Sequence, residues 1–154
     1  MKPKKRIRKR YERREPIDDF MKYWRVVRKW ALDKYGVTTG ELDLMFYLYS
    51  QHLFTTQEFK DFDLTLNWDT RRFYRLRKEG WISRWRDETV SQQKALYELS
   101  FKGKRMVRTV YKKLLGEERI SEEPTHNPAY QGSASYSQRR NKKMIEKMNE
   151  DYGN

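Results

Sequence analysis

A mainly helical α+β fold, with helices gathered round one short antiparallel ribbon, is predicted by three observations. Apolar residues recur at helical spacing across Ile17 to Tyr35, Thr38 to Gln51 and Ser100 to Leu115. Thr38 with Glu41, and Thr55 with Glu58, place a hydroxyl three residues before a glutamate, the pattern that caps a helix reciprocally. Strand-like alternation is confined to Trp81 to Arg86 and Lys94 to Leu99, with polar Asp87 to Gln93 between them as a turn.

The chain begins with a basic arm, residues 1–16, which holds nine cations against two acids and almost nothing apolar to bury. Lys4, Lys5, Arg6, Arg8, Lys9, Arg10, Arg13 and Arg14 make it suited to lie on phosphates; the bland alternative is a solvated tail. Residues 17–35 are expected as the first long helix. Phe20, Trp24, Val27 and Ala31 form a stripe widened by Tyr23 and Trp30, and Asp18 and Asp19 stand in the first turn. So broad a stripe serves equally as core or as part of a homodimer seam. The second helix runs from Thr38 to about Gln51 with Leu42, Met45 and Leu48 inward, and His52 closes it as a surface or capping residue.

A short third helix follows Thr55, with Phe59 and Phe62 inward, and Asp63 to Thr65 is expected as the turn after it. Asn67 to Glu79 contains no Gly or Pro and reads as a fourth helix, with Phe73 and Leu76 on one face and Thr70, Arg71, Tyr74, Arg75 and Lys78 largely on the other. Gly80 ends it. In the ribbon, Trp81, Ser83 and Trp85 are expected on one side, Ile82, Arg84 and Arg86 on the other, and Ala95, Tyr97 and Leu99 share a face of the returning strand. Helix, tight connection, basic helix and two-stranded β wing together describe a winged helix-turn-helix, whose second helix enters a major groove. Arg71 to Arg86 carries seven cations and one acid, so the positive charge is local.

The domain is expected to span 17–116. Residues 117–137, with Pro124, Pro128, Gly132 and a serine cluster, read as a linker. Residues 138–154 form a short helix with Ser137 as a possible cap. Its stripe of Met144 or Ile145, Met148 and Tyr152 reads as a docking peptide for a protein partner, or as a helix that frays.

The chain has 154 residues, a formal net charge of +13, 36% hydrophobic and 15% aromatic residues, and no cysteine. Such a charge puts duplex nucleic acid first among partners. The longest apolar run, Leu44 to Tyr49, is too short to span a membrane, so no membrane partner and a cytoplasmic location are expected, with a virion as the alternative. No metal site, cofactor motif or nucleophile–base pair stands out, and an enzyme is not expected. Asp61 with Asp63, or Asp87 with Glu88, read as solvated loop acids.

Between Val37 and Leu115 the chain resembles the MarR family of bacterial transcription regulators. The resemblance is carried by Val37-Thr38-Thr39, by Phe54-Thr55-Thr56-Gln57-Glu58-Phe59, by Leu76 to Arg84, and by Leu99-Ser100-Phe101-Lys102-Gly103-Lys104. It implies a homodimer held by terminal helices, here including 17–35, often with a small ligand. It also implies base reading by Thr70, Arg71, Tyr74 and Arg75, and wing contacts by Arg84, Arg86 and Lys94. The alternative from a different class is a structural or assembly protein of a virus or phage particle. It would reuse the same fold, with its arm and tail docked on partner subunits.

Overall fold

The computed structural model describes residues 17, 19–66, 71–89 and 93–153. Among them run six α-helices: α1 (Trp24–Tyr35), α2 (Thr39–Gln51), α3 (Thr56–Leu66), α4 (Arg71–Lys78), α5 (Phe101–Leu114) and α6 (Tyr136–Gly153). Strands β1 (Leu53–Phe54), β2 (Ile82–Arg86) and β3 (Leu96–Leu99) form one antiparallel sheet in the order β1-β3-β2. The protein is therefore mainly helical with a small sheet. The ribbon has three strands rather than two, because Leu53 and Phe54 pair with Glu98 and Tyr97 on the open edge of β3.

Local signals set most boundaries. Glu41 N–H donates to Thr38 Oγ1 at 3.2 Å, and Thr38 N–H returns a bond to Glu41 Oε2 at 3.3 Å, the expected reciprocal cap of α2. His52 closes α2 at φ 59°. Before α3, Glu58 N–H donates to Thr55 Oγ1 at 3.1 Å. The helix then continues through residues 63–65, expected as a turn; residues 67–70, expected to open the fourth helix, lie outside the described residues. Helix α1 begins at Trp24 and not at Ile17. Asp19 Oδ1 accepts the Lys22 N–H at 3.1 Å and closes a turn where the first helical turn was expected; Asp18 lies outside the described residues.

Gly103, inside α5, has a packing reason. A Cβ there would stand 2.7 Å from the Leu99 side chain and 3.0 Å from the Trp81 carbonyl oxygen. The helix thus approaches the sheet as closely as a residue without a side chain permits.

Helix α1 is the centre of the packing, in contact with α2 and α5 and also with α6 and the 3-10 turn Pro128–Tyr130. Its Tyr23, Val26, Val27, Trp30 and Ala31 are all buried by this chain alone. The start of the stripe is less enclosed: Phe20 is 37% exposed and Trp24 is partly buried.

The greatest departure from expectation is the C-terminal third. Residues 117–137 are not a linker: Ile120, Asn127 and Ala129 are buried, and two asparagines bind the segment together. Asn127 Oδ1 accepts from Ala129 N–H at 3.0 Å while its Nδ2 donates to Ser121 O at 2.9 Å. Asn149, on α6, pairs with both backbone groups of Ile120, accepting at 3.1 Å and donating at 2.9 Å. Tyr152 Oη donates to Lys113 O at 2.6 Å at the end of α5.

Ile145 and Met148 are wholly buried, Tyr152 is partly buried and packs on Tyr23, and only Met144 faces outward at 46% exposure. The docking stripe therefore docks on its own chain. Full burial of each such side chain contributes about 1.5–3 kcal/mol, enough to hold a helix that alone would be marginal. The cap is Ser135, not Ser137: Gln138 N–H donates to Ser135 Oγ at 3.2 Å, and Ser135 N–H to Gln138 Oε1 at 2.8 Å.

Asn149→Ala is expected to leave the buried backbone pair of Ile120 unsatisfied and to lower the unfolding free energy by about 1–3 kcal/mol, measured by urea titration. A free tail would show no change.

Burial also raises the phenol pKa of Tyr35, Tyr130 and Tyr152 above the usual 10. The folded protein then holds protons that the unfolded chain releases, so these groups contribute stability that is complete below pH 10 and is lost as pH rises through their folded values. Lys113, lowered by burial against its Glu118 bond, acts in the opposite sense as pH approaches 10.5. Stability is expected to fall above pH 10, and Tyr130→Phe to flatten that fall in a series of denaturant titrations.

Candidate nucleic-acid interface

Helix α4 is held by Phe73 and Leu76, 3% and 0% exposed. Phe73 stacks at 5.0 Å on Phe59 and at 5.0 Å, edge-on, on Tyr97. With that face fixed, the opposite side must look outward. Arg71, Tyr74, Arg75 and Lys78 are exposed, Tyr74 at 66%. The eight residues of α4 include five cations and no acid. Thr70 and the arm cations Lys4 to Arg14 lie outside the described residues.

The outward cations are not alike. Arg75 Nη1 reaches Glu41 Oε1 at 3.1 Å and its Nε donates to Glu79 Oε1 at 3.0 Å. The Glu41 side chain is only 2% exposed, so this arginine neutralises a carboxylate that also caps α2. A buried carboxylate without a cation is costly, so Arg75, 51% exposed, also serves as a tie between α4 and α2. Arg72 leans the same way, its guanidinium packed where a side chain on Gly40 would stand. Beside it, desolvation raises the pKa of the Asp43 carboxyl while Arg28 and Arg72 pull it down.

The ribbon treats its arginines similarly. Arg84 donates to Asp87 Oδ1 at 2.9 Å and to Tyr97 Oη at 3.2 Å, and Arg86 Nη2 donates to Lys94 O at 3.1 Å. Arg77 stands 4.9 Å from the Tyr97 ring centroid. Arg84 remains half-exposed, whereas Arg86 is partly buried and its Nε lacks a partner. Lys94 is exposed.

Alternation in β2 breaks at its centre. Arg84 pairs with Tyr97 and Arg86 with Leu96, which leaves Trp85 as the extra residue of a bulge. Trp81 and Ile82 are both buried while Trp85 is 54% exposed, so the side shared by Trp81, Ser83 and Trp85 in the sequence reading does not persist along the strand. Periodicity hid the exposure of this tryptophan, which stands between two arginines; its one sequence signal is its charged neighbours.

A second basic face escaped the sequence reading. Along α6, Tyr136, Arg139, Arg140, Lys143, Met144 and Lys147 are all exposed and fall on one side of the helix. Among the described residues no group of three or more His, Cys, Asp or Glu is placed to hold a metal ion, and no helix is long and apolar enough to cross a membrane.

Replacing Arg75 by Met alone is expected to lower the thermal midpoint, because Glu41 is left without its cation. Combining Arg75→Met with Glu41→Gln is expected to recover part of the loss in a double-mutant cycle; strict additivity would dissolve the tie. Comparison with protein-family models, with curated proteins and with solved structures finds no match for this chain.

Proposed function

We propose that this chain is a duplex DNA-binding protein of the winged helix-turn-helix kind, a MarR-like transcription regulator without chemistry of its own. In this reading α4 lies in a major groove, the β2–β3 ribbon rests beside it on the backbone, and the basic arm neutralises phosphates. The observation that carries the reading is the cationic outward face of α4, a helix of eight residues with five cations and no acid among them, whose other face is locked by Phe73 and Leu76.

The order α2, β1, α3, α4, β2, β3, α5 with sheet order β1-β3-β2 supports it. Helix α4 is about 12 Å long at 1.5 Å per residue, commensurate with a major groove about 12 Å wide. Arg71 and Tyr74 are the base readers, Arg71 suited to guanine and Tyr74 to phosphate or a thymine methyl. Lys78, Arg84 and Lys94 meet phosphates, and Trp85 adds an aromatic face at the ribbon. Arg75 and Arg86 serve the scaffold. The alternative of a virus or phage particle component with both tails docked on partner subunits loses half its motivation, since Ile145 and Met148 are covered by the chain itself.

Anisotropy titrations with a duplex selected from a random pool, and with an unselected duplex, test the reading. Arg71→Ala is expected to cost about 1–3 kcal/mol on the selected site and much less on the other. Lys78→Ala weakens both and lowers the slope of log affinity against log salt. Removal of residues 1–15 lowers that slope further, and Trp85 emission changes on binding. Wild-type affinity of the Arg71→Ala and Lys78→Ala proteins for each duplex would remove α4 from the interface.

A further inference from the structure

We propose that the outward face of α6, with Lys29 of α1 beside it, is a second nucleic-acid backbone site, so that a single chain grips two segments at once. Tyr136, Arg139, Arg140, Lys143, Met144 and Lys147 stand at spacings of three, one, three, one and three residues, and each is exposed. The complementary stripe is in the core: Ile145 and Met148 are wholly buried and Asn149 is tied to Ile120. What faces outward is therefore fixed by what is locked inside. The hollow between α6 and α1 is lined, among the described residues, by Lys29, Ser137, Asn141 and the start of the α6 stripe.

The sign of the charge separates this face from an ordinary solvated one. Soluble surfaces intersperse both signs, yet this stripe carries four cations across three turns before Glu150 supplies an acid. Asp151 follows Glu150 at the far end of the stripe, and Glu146, partly buried at its edge, accepts from Tyr130 Oη at 3.4 Å. Lys29 is shared with Asp33 at 3.0 Å; Arg139 and Arg140 have no carboxylate within four residues along the chain. Successive cations at Arg139, Lys143 and Lys147 lie about 6 Å apart along the axis, a linear array like the charge of a polyphosphate backbone. The positive end of the helix dipole lies at the same end of α6.

Tyr136, 69% exposed with Arg140 5.9 Å from its ring centroid, supplies a stacking surface of the kind that meets a base or sugar. A membrane surface fits less well, because an interfacial helix needs a free apolar face and that of α6 is in the core. The site is separate from α4: α6 packs on α1 and the 3-10 turn, whereas α4 packs on β2 and is tied to α2 through Glu41. The α6 site does not itself require α4 to bind DNA; the grip on two segments does, and rests on that reading.

The full chain is tested for bridging, with one duplex on beads and a second, fluorescent duplex in solution. The wild type is expected to retain the second duplex. Arg139→Ala/Arg140→Ala/Lys143→Ala is expected to lose at least tenfold of that retention with an unchanged thermal midpoint, and Arg139→Lys/Arg140→Lys to keep most of it, since charge and not planarity is what a phosphate row reads. Arg71→Ala/Lys78→Ala separates the two readings. If α4 is no DNA site, that variant matches wild type while the α6 variant loses all binding; if α6 is no site, the α6 variant matches wild type in affinity and retention, which overturns the proposal. Two other results overturn it: bridging that light scattering assigns to a two-copy complex and that survives the α6 substitutions, and polyglutamate competing as well as nucleic acid of equal charge, which would give the face to an acidic protein. Loss of wild-type binding to anionic vesicles in the α6 variant, with DNA binding intact, would give it to a membrane.

Discussion

Helix α1 carries more apolar surface than one neighbour can cover, and the rest of the architecture answers that constraint. With 36% hydrophobic residues in the chain, a core is possible only if the aromatic stripe of α1 is enclosed from two sides. The helices α2 and α5 supply one side; α6 and the 3-10 turn before it supply the other. Trp30 is the clearest instance, 2% exposed, with Lys34 and Lys113 at 5.3 and 4.7 Å from its ring. The C-terminal third is thus part of the core and not an appendage. Its polar members satisfy buried backbone groups, which is why Asn127 and Asn149 lie inside without penalty.

The same economy shapes the surface. A chain with net charge +13 places much of that charge against its own aromatic rings and carboxylates. Arg77 and Arg84 flank Tyr97, Lys102 Nζ stands 3.9 Å from the Trp81 ring centroid, and Lys113 is buried with bonds to Glu118 and the Arg119 carbonyl. Cations in these positions help to fix the fold and contribute less to an external field than their number suggests. Among the described residues, cations that face outward line the outer edge of α4, the bulged ribbon and the outer stripe of α6.

Arg75 illustrates how the two demands meet. Helical spacing puts it beside Arg71 and Lys78, and by sequence it belongs with them. In the fold it joins Glu41 and Glu79, so that the carboxylate capping α2 also orients α4. The angle at which α4 presents Arg71, Tyr74 and Lys78 therefore depends on an acid more than thirty residues earlier in the chain.

The sequence by itself determined the features that depend on neighbours a few residues apart. The Thr38–Glu41 cap, the inward Leu42, Met45, Phe73 and Leu76, the stop at Gly80 and the alternation of Ala95, Tyr97 and Leu99 all follow from local bonding and periodicity. The Ser135–Gln138 cap obeys the same rule and was legible, though Ser137 stood closer to the expected start of the helix. Only the tertiary structure decided that Leu53 and Phe54 form a third strand, that Trp85 bulges outward, that Arg75 is a tie, and that the last helix turns its apolar side onto α1 and its cations to solvent. Those outcomes rest on partners tens of residues away. Polar side chains such as Asn149 look the same in sequence whether water or the backbone of Ile120 satisfies them, and only the folded chain brings that backbone within reach.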